Sequence, residues 1–311
     1  MYFTIGGRRV QSGLYRVTYT GSESTALIDR APVVTPGREL RHRLEAFHGK
    51  QDPKAIETAW PHLGSEDRFI RWAARTAIEH QPSATWAGKA LSETDPAKQV
   101  EALMALARCA GVCPQHRKAD TPPVDTAMRG KLLDALLNLD IAALPHESQL
   151  TALRTLEIVL NRFDRPDEAT IGKLIAKLDP LVPAKSFEQN WLLLETLVYL
   201  QAPSAAEKGM ALIENADSQE PQIEYARSLR MLKTGWTPAL RTRQIEWFLK
   251  AANYRGGASF SKFIEFIRND SLATFTDAEK AEHAALLAKQ PEVKSAIENL
   301  GEIVDACDGL M

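Results

Sequence analysis

The chain is short of nearly every feature that announces a chemistry. It has three cysteines, an odd number with no framework spacing, so disulfides do not account for its fold. It has no excess of either charge: the formal net charge is -2. A nucleic-acid binder carries a strongly basic footprint, and a peripheral membrane protein held by a basic face does too; both classes are disfavoured. No run approaches the roughly 18 apolar residues of a membrane span. Residues 1–13, MYFTIGGRRVQSG, lack the apolar core of a signal peptide, because glycines and arginines follow at once. Cysteine usage alone suggests a reducing compartment, and the sequence leaves the localisation open. There is no HExxH, no CxxCH, no P-loop and no GxGxxG.

What is present is helix after helix. At 311 residues, 44% hydrophobic and 25% charged, the chain can bury one large core or two ordinary ones. Residues 52–80, DPKAIETAWPHLGSEDRFIRWAARTAIEH, show the pattern best. Asp52-Pro53 offers an N-cap with proline behind it, and Ile56, Ala59 and Trp60 form the first stripe. Ser65 is the expected cap of the next helix, with Phe69, Ile70, Ala73, Ala74, Ala77 and Ile78 as its buried face. A helix over 38–47 precedes this pair, stopped by Gly49. Further helices are expected near 84–91, 96–110, 125–138, 147–162, 167–177, 187–200, 204–214, 220–233, 238–253, 259–268, 277–288 and 291–305. Asp95-Pro96, Thr237-Pro238 and the capping box Thr276/Glu279 support three of these starts. Residues 114–125 form the longest loop and the expected weak point in packing. Helix pairs recur every 35–45 residues or so, the range of HEAT-type repeats. The expected fold is therefore all-α, a HEAT-like solenoid over 37–306 with a tail at 307–311.

Residues 1–20 differ. Two β-prone runs flank Gly6-Gly7, and a lone hairpin is marginal in water. The expectation is the remnant of a β-domain that continues upstream, joined by a Ser/Thr/Pro-rich linker over 21–36.

Few residue groups invite a chemical reading, and each has a plain structural alternative. Cys109, Cys113 and His116 have the spacing of part of a metal site, but no second ligand pair lies near in sequence, and Cys109 fits a buried helix face. Arg68, Arg71 and Arg75 line one helix face. They suit an anion or an acidic partner, but more often such arginines pair with acids on the neighbouring repeat or face water. The seven histidines are scattered. Residues 254–260, YRGGASF, place two glycines before a helix start, either a phosphate cradle or a turn capped by Ser259. The aromatics Trp236, Trp247, Phe248, Tyr254, Phe260, Phe263, Phe266 and Phe275 suit a ligand groove or packing between the last repeats. No catalytic residue can be named.

Two stretches carry a resemblance. Residues 2–17, YFTIGGRRVQSGLYRV, resemble the closing strands of a sugar-dehydrogenase-like β-propeller. Residues 39–82 and 235–270 resemble the HEAT-like region that follows it in large exported haem-binding proteins of planctomycete–verrucomicrobial type. In that family a c-type cytochrome domain comes last. The resemblance implies a periplasmic or cell-surface redox protein oxidising sugars, with pyrroloquinoline quinone and haem c held by modules outside this chain. What it leaves here is a non-catalytic scaffold or spacer, with neighbouring domains or a protein as partner. The alternatives are part of such an oxidoreductase and a free-standing peptide-binding adaptor.

Overall fold

A computed structural model describes residues 1–7, 10–27, 33–257 and 259–292. The expected helix over 291–305, the tail and Cys307 fall outside these residues, apart from the first two positions of that helix. The described chain is mainly helical, with one two-stranded sheet, as the all-α expectation required. No described helix is long and apolar enough to cross a membrane. The chain divides into two compact units, one spanning Val34–Leu240 and the other drawn from Met1–Val33 and Arg241–Met311.

The Val34–Leu240 unit contains α1 (Pro36–Glu45), α2 (Lys54–Ala59), α3 (Arg68–Glu79), α4 (Ala87–Leu91), α5 (Pro96–Ala110) and α6 (Thr126–Asn138). It continues through α7 (His146–Arg162), α8 (Glu168–Leu178), α9 (Phe187–Tyr199), α10 (Ala205–Glu214) and α11 (Gln219–Leu229). The packing order is regular. Each odd-numbered helix from α1 to α11 packs on the next odd-numbered one, and each even-numbered helix packs on the odd one that follows it. Such pairing explains the composition of α5, buried from Val100 to Ala107 on nearly every side because it has neighbours before, after and beside it. Its alanines, Ala102, Ala105 and Ala107, are fully buried and let the adjoining helices approach closely.

Local chemistry sets the ends. Asp95 accepts from the amides of Ala97 and Lys98 and starts α5 where the sequence indicates. Asp52 accepts from Lys54 N at 2.9 Å at the start of α2. The stripe of α2 is Ala55, Ala59 and Trp60, with Ile56 only half-buried. In α3 the cap is Asp67, not Ser65: its carboxylate accepts from Phe69 N and Ile70 N. Ser65 instead offers its carbonyl to Arg71 Nη1 at 2.7 Å. Phe69, expected in the core, is 55% exposed. Gly49 has φ +75°, the left-handed turn that its role as a stop demands. The 114–125 loop is anchored by Arg117, which donates to the Arg162 carbonyl at 2.9 Å and to Asp164 Oδ1 at 2.8 Å.

In the other unit, β1 (Tyr2–Gly7) and β2 (Val10–Arg16) pair antiparallel, with Phe3 opposite Tyr15. Those two rings stack at 5.4 Å, and the terminal amine donates to Val17 O at 3.0 Å. Tyr2, Ile5 and Leu14 are exposed, and no third strand joins the pair among the described residues. α12 (Pro238–Ala251) crosses the division between the units, and α13 (Phe260–Leu272), α14 (Asp277–Glu282) and α15 (Ala284–Leu287) follow. The single helix expected over 277–288 is two, broken at His283, whose ring Nδ1 lies 2.8 Å from Glu279 O. Thr276 and Glu279 do form the capping box. Ser259 makes no side-chain cap bond. The aromatics of this region divide: Trp247, Phe248 and Phe275 are buried, whereas Phe263 and Phe266 are exposed.

Candidate functional site

The odd-numbered helices carry polar and aromatic side chains that meet from helix to helix. A four-residue step turns an α-helix by about 400°, so Arg71 and Arg75 of α3 share a face. Both reach Glu101 of α5, Arg71 Nε at 3.2 Å and Arg75 Nη1 at 2.7 Å. Arg71 also spans to Glu147 of α7 at 3.0 Å. Arg108 of α5 returns to Glu79 of α3 at 2.9 Å. Of the three arginines singled out by sequence, two are therefore tied into ion pairs between helices. Arg68 is not; its guanidinium lies 5.0 Å from the Phe69 ring centroid and enters no ion pair among the described residues. These arginines line a cleft of about 510 Å³ together with Phe69, Trp72, Glu101 and Glu147. Trp72 is 52% exposed and receives His48 edge-on at 5.9 Å.

The series continues along α7, α9 and α11. The Trp191 ring of α9 has Arg154 of α7 at 5.9 Å and Arg227 of α11 at 5.7 Å. Phe187 stacks on the same ring at 6.1 Å. Arg154 pairs with Glu157 at 2.5 Å, and Arg227 with Glu224 at 2.7 Å. Contacts of this kind thus join α3 to α5 and α7, α7 to α9, and α9 to α11.

Between α7 and α9 lies a second cavity, of about 430 Å³, lined by Glu157, Glu195 and Thr196 among others. Burial pushes the Glu157 carboxyl up to about 7; Arg154 opposes the shift and the nearby charge of Glu195 adds to it. The consequence for stability has a definite sign. Glu157 keeps its proton to higher pH in the folded chain than at its ordinary value of 4.5 in the unfolded one. Folding takes up a proton in that window, so stability from this source is full below about 4.5 and lost as pH rises through about 7. The loss is on the order of 3 kcal/mol. Asp95 and Asp167 lie below their usual range through hydrogen bonds with Lys98 and Thr170, and act in the opposite sense. The effect is therefore read as a difference: Glu157→Gln should gain on the parent between about pH 5 and about pH 8. Urea midpoints at both pH values measure it, and an equal offset at the two would refute it.

The cysteine cluster is dispersed. Cys109 of α5 is half-buried, its Sγ 3.4 Å from Glu79 O, and burial raises its thiol to about 11, so it is a poor nucleophile at neutral pH. Cys113 lines the α7–α9 cavity instead, and His116 is exposed. Among the described residues no three His, Cys, Asp or Glu side chains are placed to hold a metal ion. The glycines of 254–257 form a turn, with Phe260 N donating to Gly257 O at 2.9 Å. Tyr254 and Phe260 line a cavity of about 320 Å³.

Trp191, Glu157, Glu195 and Thr196 do not stand out in the sequence reading. A signal exists all the same: Glu195-Thr196 interrupts the apolar run WLLLETLVYL, where a polar pair needs a reason. Comparison of the chain with protein-family models, with curated proteins and with solved structures returns no match.

Proposed function

We propose that this chain is a non-catalytic helical-repeat module, a HEAT-like α-α solenoid, that docks a protein partner along its odd-numbered helices. The observation that carries this is the set of charged and aromatic contacts that joins the odd-numbered helices α3 to α11, with a cleft at α3 that has two exposed aromatics beside an arginine in no ion pair among the described residues. Stacked helix pairs present such a face because each pair touches only its neighbours. Exposed Trp, Phe and Arg at a cleft are the residues that dominate binding energy at protein interfaces. In the family the sequence resembles, the partner would be an adjoining propeller or cytochrome domain, and the module would hold the two apart. Redox cofactors, haem c and pyrroloquinoline quinone, would belong to those domains.

The test separates docking from structure. Arg71 and Arg75 are tied to Glu101, so reversing their charge would damage the fold. Arg68→Glu with Phe69→Ser and Trp72→Ser alters only exposed groups. The domains encoded in frame on either side of the chain, where present, are the partners to titrate first. Binding should fall by more than about tenfold in the triple variant with helical circular dichroism unchanged. Equal binding by parent and variant would remove this face from the proposal, and a Soret band in the purified chain would remove the non-catalytic reading.

A further inference from the structure

The cavity between α7 and α9 has unused hydrogen-bonding capacity, and at its carboxylates that capacity is accepting only. Two of its lining residues are cations, and both are committed. Arg154 Nη1 is bound to Glu157 Oε2 at 2.5 Å, and its guanidinium faces Trp191. Arg162 Nη1 donates to the carbonyls of Arg108 and Gly111. What remains can accept. Glu157 Oε1 is buried with no hydrogen-bond partner. Glu195 lines the same cavity and enters no ion pair among the described residues. Thr196, 2% exposed, also lines it, and its Oγ1 has no partner either. A helical threonine ordinarily returns its hydroxyl to the carbonyl a turn earlier, as Thr155 does to Thr151 O at 2.7 Å. An unpaired hydroxyl and an unpaired carboxylate oxygen at one cavity cost free energy that a donor-bearing occupant would recover.

We propose that the α7–α9 cavity binds a primary ammonium group on an aliphatic stem, held by Glu157, Glu195 and Thr196. An ammonium has three N–H donors and no acceptor, which matches three open acceptors on two helices. A guanidinium would bring five donors in one rigid plane, more than three acceptors split over two helices can meet, and Glu157 already gives one of its oxygens to Arg154. Ile158 and the ring of Tyr199 supply apolar wall for a stem of a few methylenes. A volume of about 430 Å³ suits a small ligand or a single long side chain. The ammonium could come from a free alkylamine or from a lysine of a bound protein. The chemistry is the same, and the inference does not depend on the docking reading above.

Isothermal titration of the full chain with n-butylamine, with N-acetyl-lysine amide and with n-butanol tests it. Both amines should bind at one saturable site with a Kd on the order of 1 mM, and the alcohol should not. The affinity for the amines should fall about tenfold or more in Glu195→Gln and in Thr196→Val, two near-isosteric changes that leave the helices intact. Tighter binding of the lysine amide would identify a protein side chain as the natural occupant, and tighter binding of butylamine a free amine. Absence of saturable binding by either amine, equal binding of the alcohol, or amine affinity unchanged in Glu195→Gln would overturn the assignment.

Discussion

Gly235→Ala should destabilise the Val34–Leu240 unit by about 4 kcal/mol, with a fall in Tm on the order of 10 °C. Two costs add. Gly235 sits at φ +75°, where an L-residue's Cβ crowds the following carbonyl. A Cβ there would also lie 1.8 Å from Pro203 O, a backbone atom that cannot swing away. The close approach has a visible purpose. Gln201, itself at φ 59°, ends α9 and ties the turn after α11: its Nε2 donates to Met231 O at 3.1 Å and its Oε1 accepts from Lys233 N at 2.9 Å. Thr234 Oγ1 donates to Gln201 O at 2.9 Å. The turns that end α9 and α11 are thus locked by side-chain-to-backbone bonds, and only glycine leaves room where the two backbones meet at Pro203 O. Gly88→Ala is the control. Gly88 lies in α4, and a Cβ added there would meet nothing within 4 Å, so alanine should stabilise by up to about 1 kcal/mol. Guanidinium unfolding of both variants checks the pair. A loss under about 1 kcal/mol at Gly235 would mean that the Pro203 backbone yields and the lock is not a constraint.

Gly235 also shows where sequence reading stops. A glycine between two helices reads as a turn, but its sign of φ and its distance from Pro203 depend on a segment 32 positions earlier. Local signals carry further. The Asp95-Pro96 and Thr276/Glu279 starts need only neighbours in sequence, and both stand. Ser65 loses to Asp67 because both are good caps and the backbone after Asp67 presents two amides to one carboxylate. Phe69 reads as core because it adjoins Ile70, yet only Ile70 faces the neighbouring helices; one step around a helix is about 100°, enough to leave the stripe. α13 runs on to Leu272, past the expected end at 268, and its last turn is held by Ser271, which is buried and accepts from Gln244 Nε2 at 2.8 Å, a contact that no local signal shows. At the candidate site the arginine row is legible from its spacing. Its acidic partner Glu101 is not, since a glutamate inside an alanine-rich helix can face any way until the adjoining helix is placed.

Glu101→Ala should cost about 3 kcal/mol, whereas Glu147→Ala should cost less than about 0.5 kcal/mol, although both glutamates bind Arg71. The difference lies in solvent. The Glu101 side chain is 7% exposed and holds two guanidinium groups; that of Glu147 is 70% exposed and holds one. Removing Glu101 leaves two half-buried cations without the acid that brought them together. Arg75 keeps only Glu79, at 3.4 Å, and Arg71 keeps the Ser65 carbonyl and the exposed Glu147. Removing Glu147 leaves Arg71 still paired with Glu101. Truncating Arg71 and Arg75 as well as Glu101 should recover part of the loss, because no uncompensated charge remains. Urea unfolding of the three variants measures this, and a Glu101→Ala protein within about 0.5 kcal/mol of the parent would show that the cluster is solvated rather than structural. The functional consequence follows from the same geometry. With Arg71 and Arg75 committed to joining α3 to α5, neither is available to grip a partner. On the docking proposal, the groups on α3 that remain to meet a partner are Arg68, Phe69 and Trp72, which are exposed on a framework that the buried glutamate holds in place.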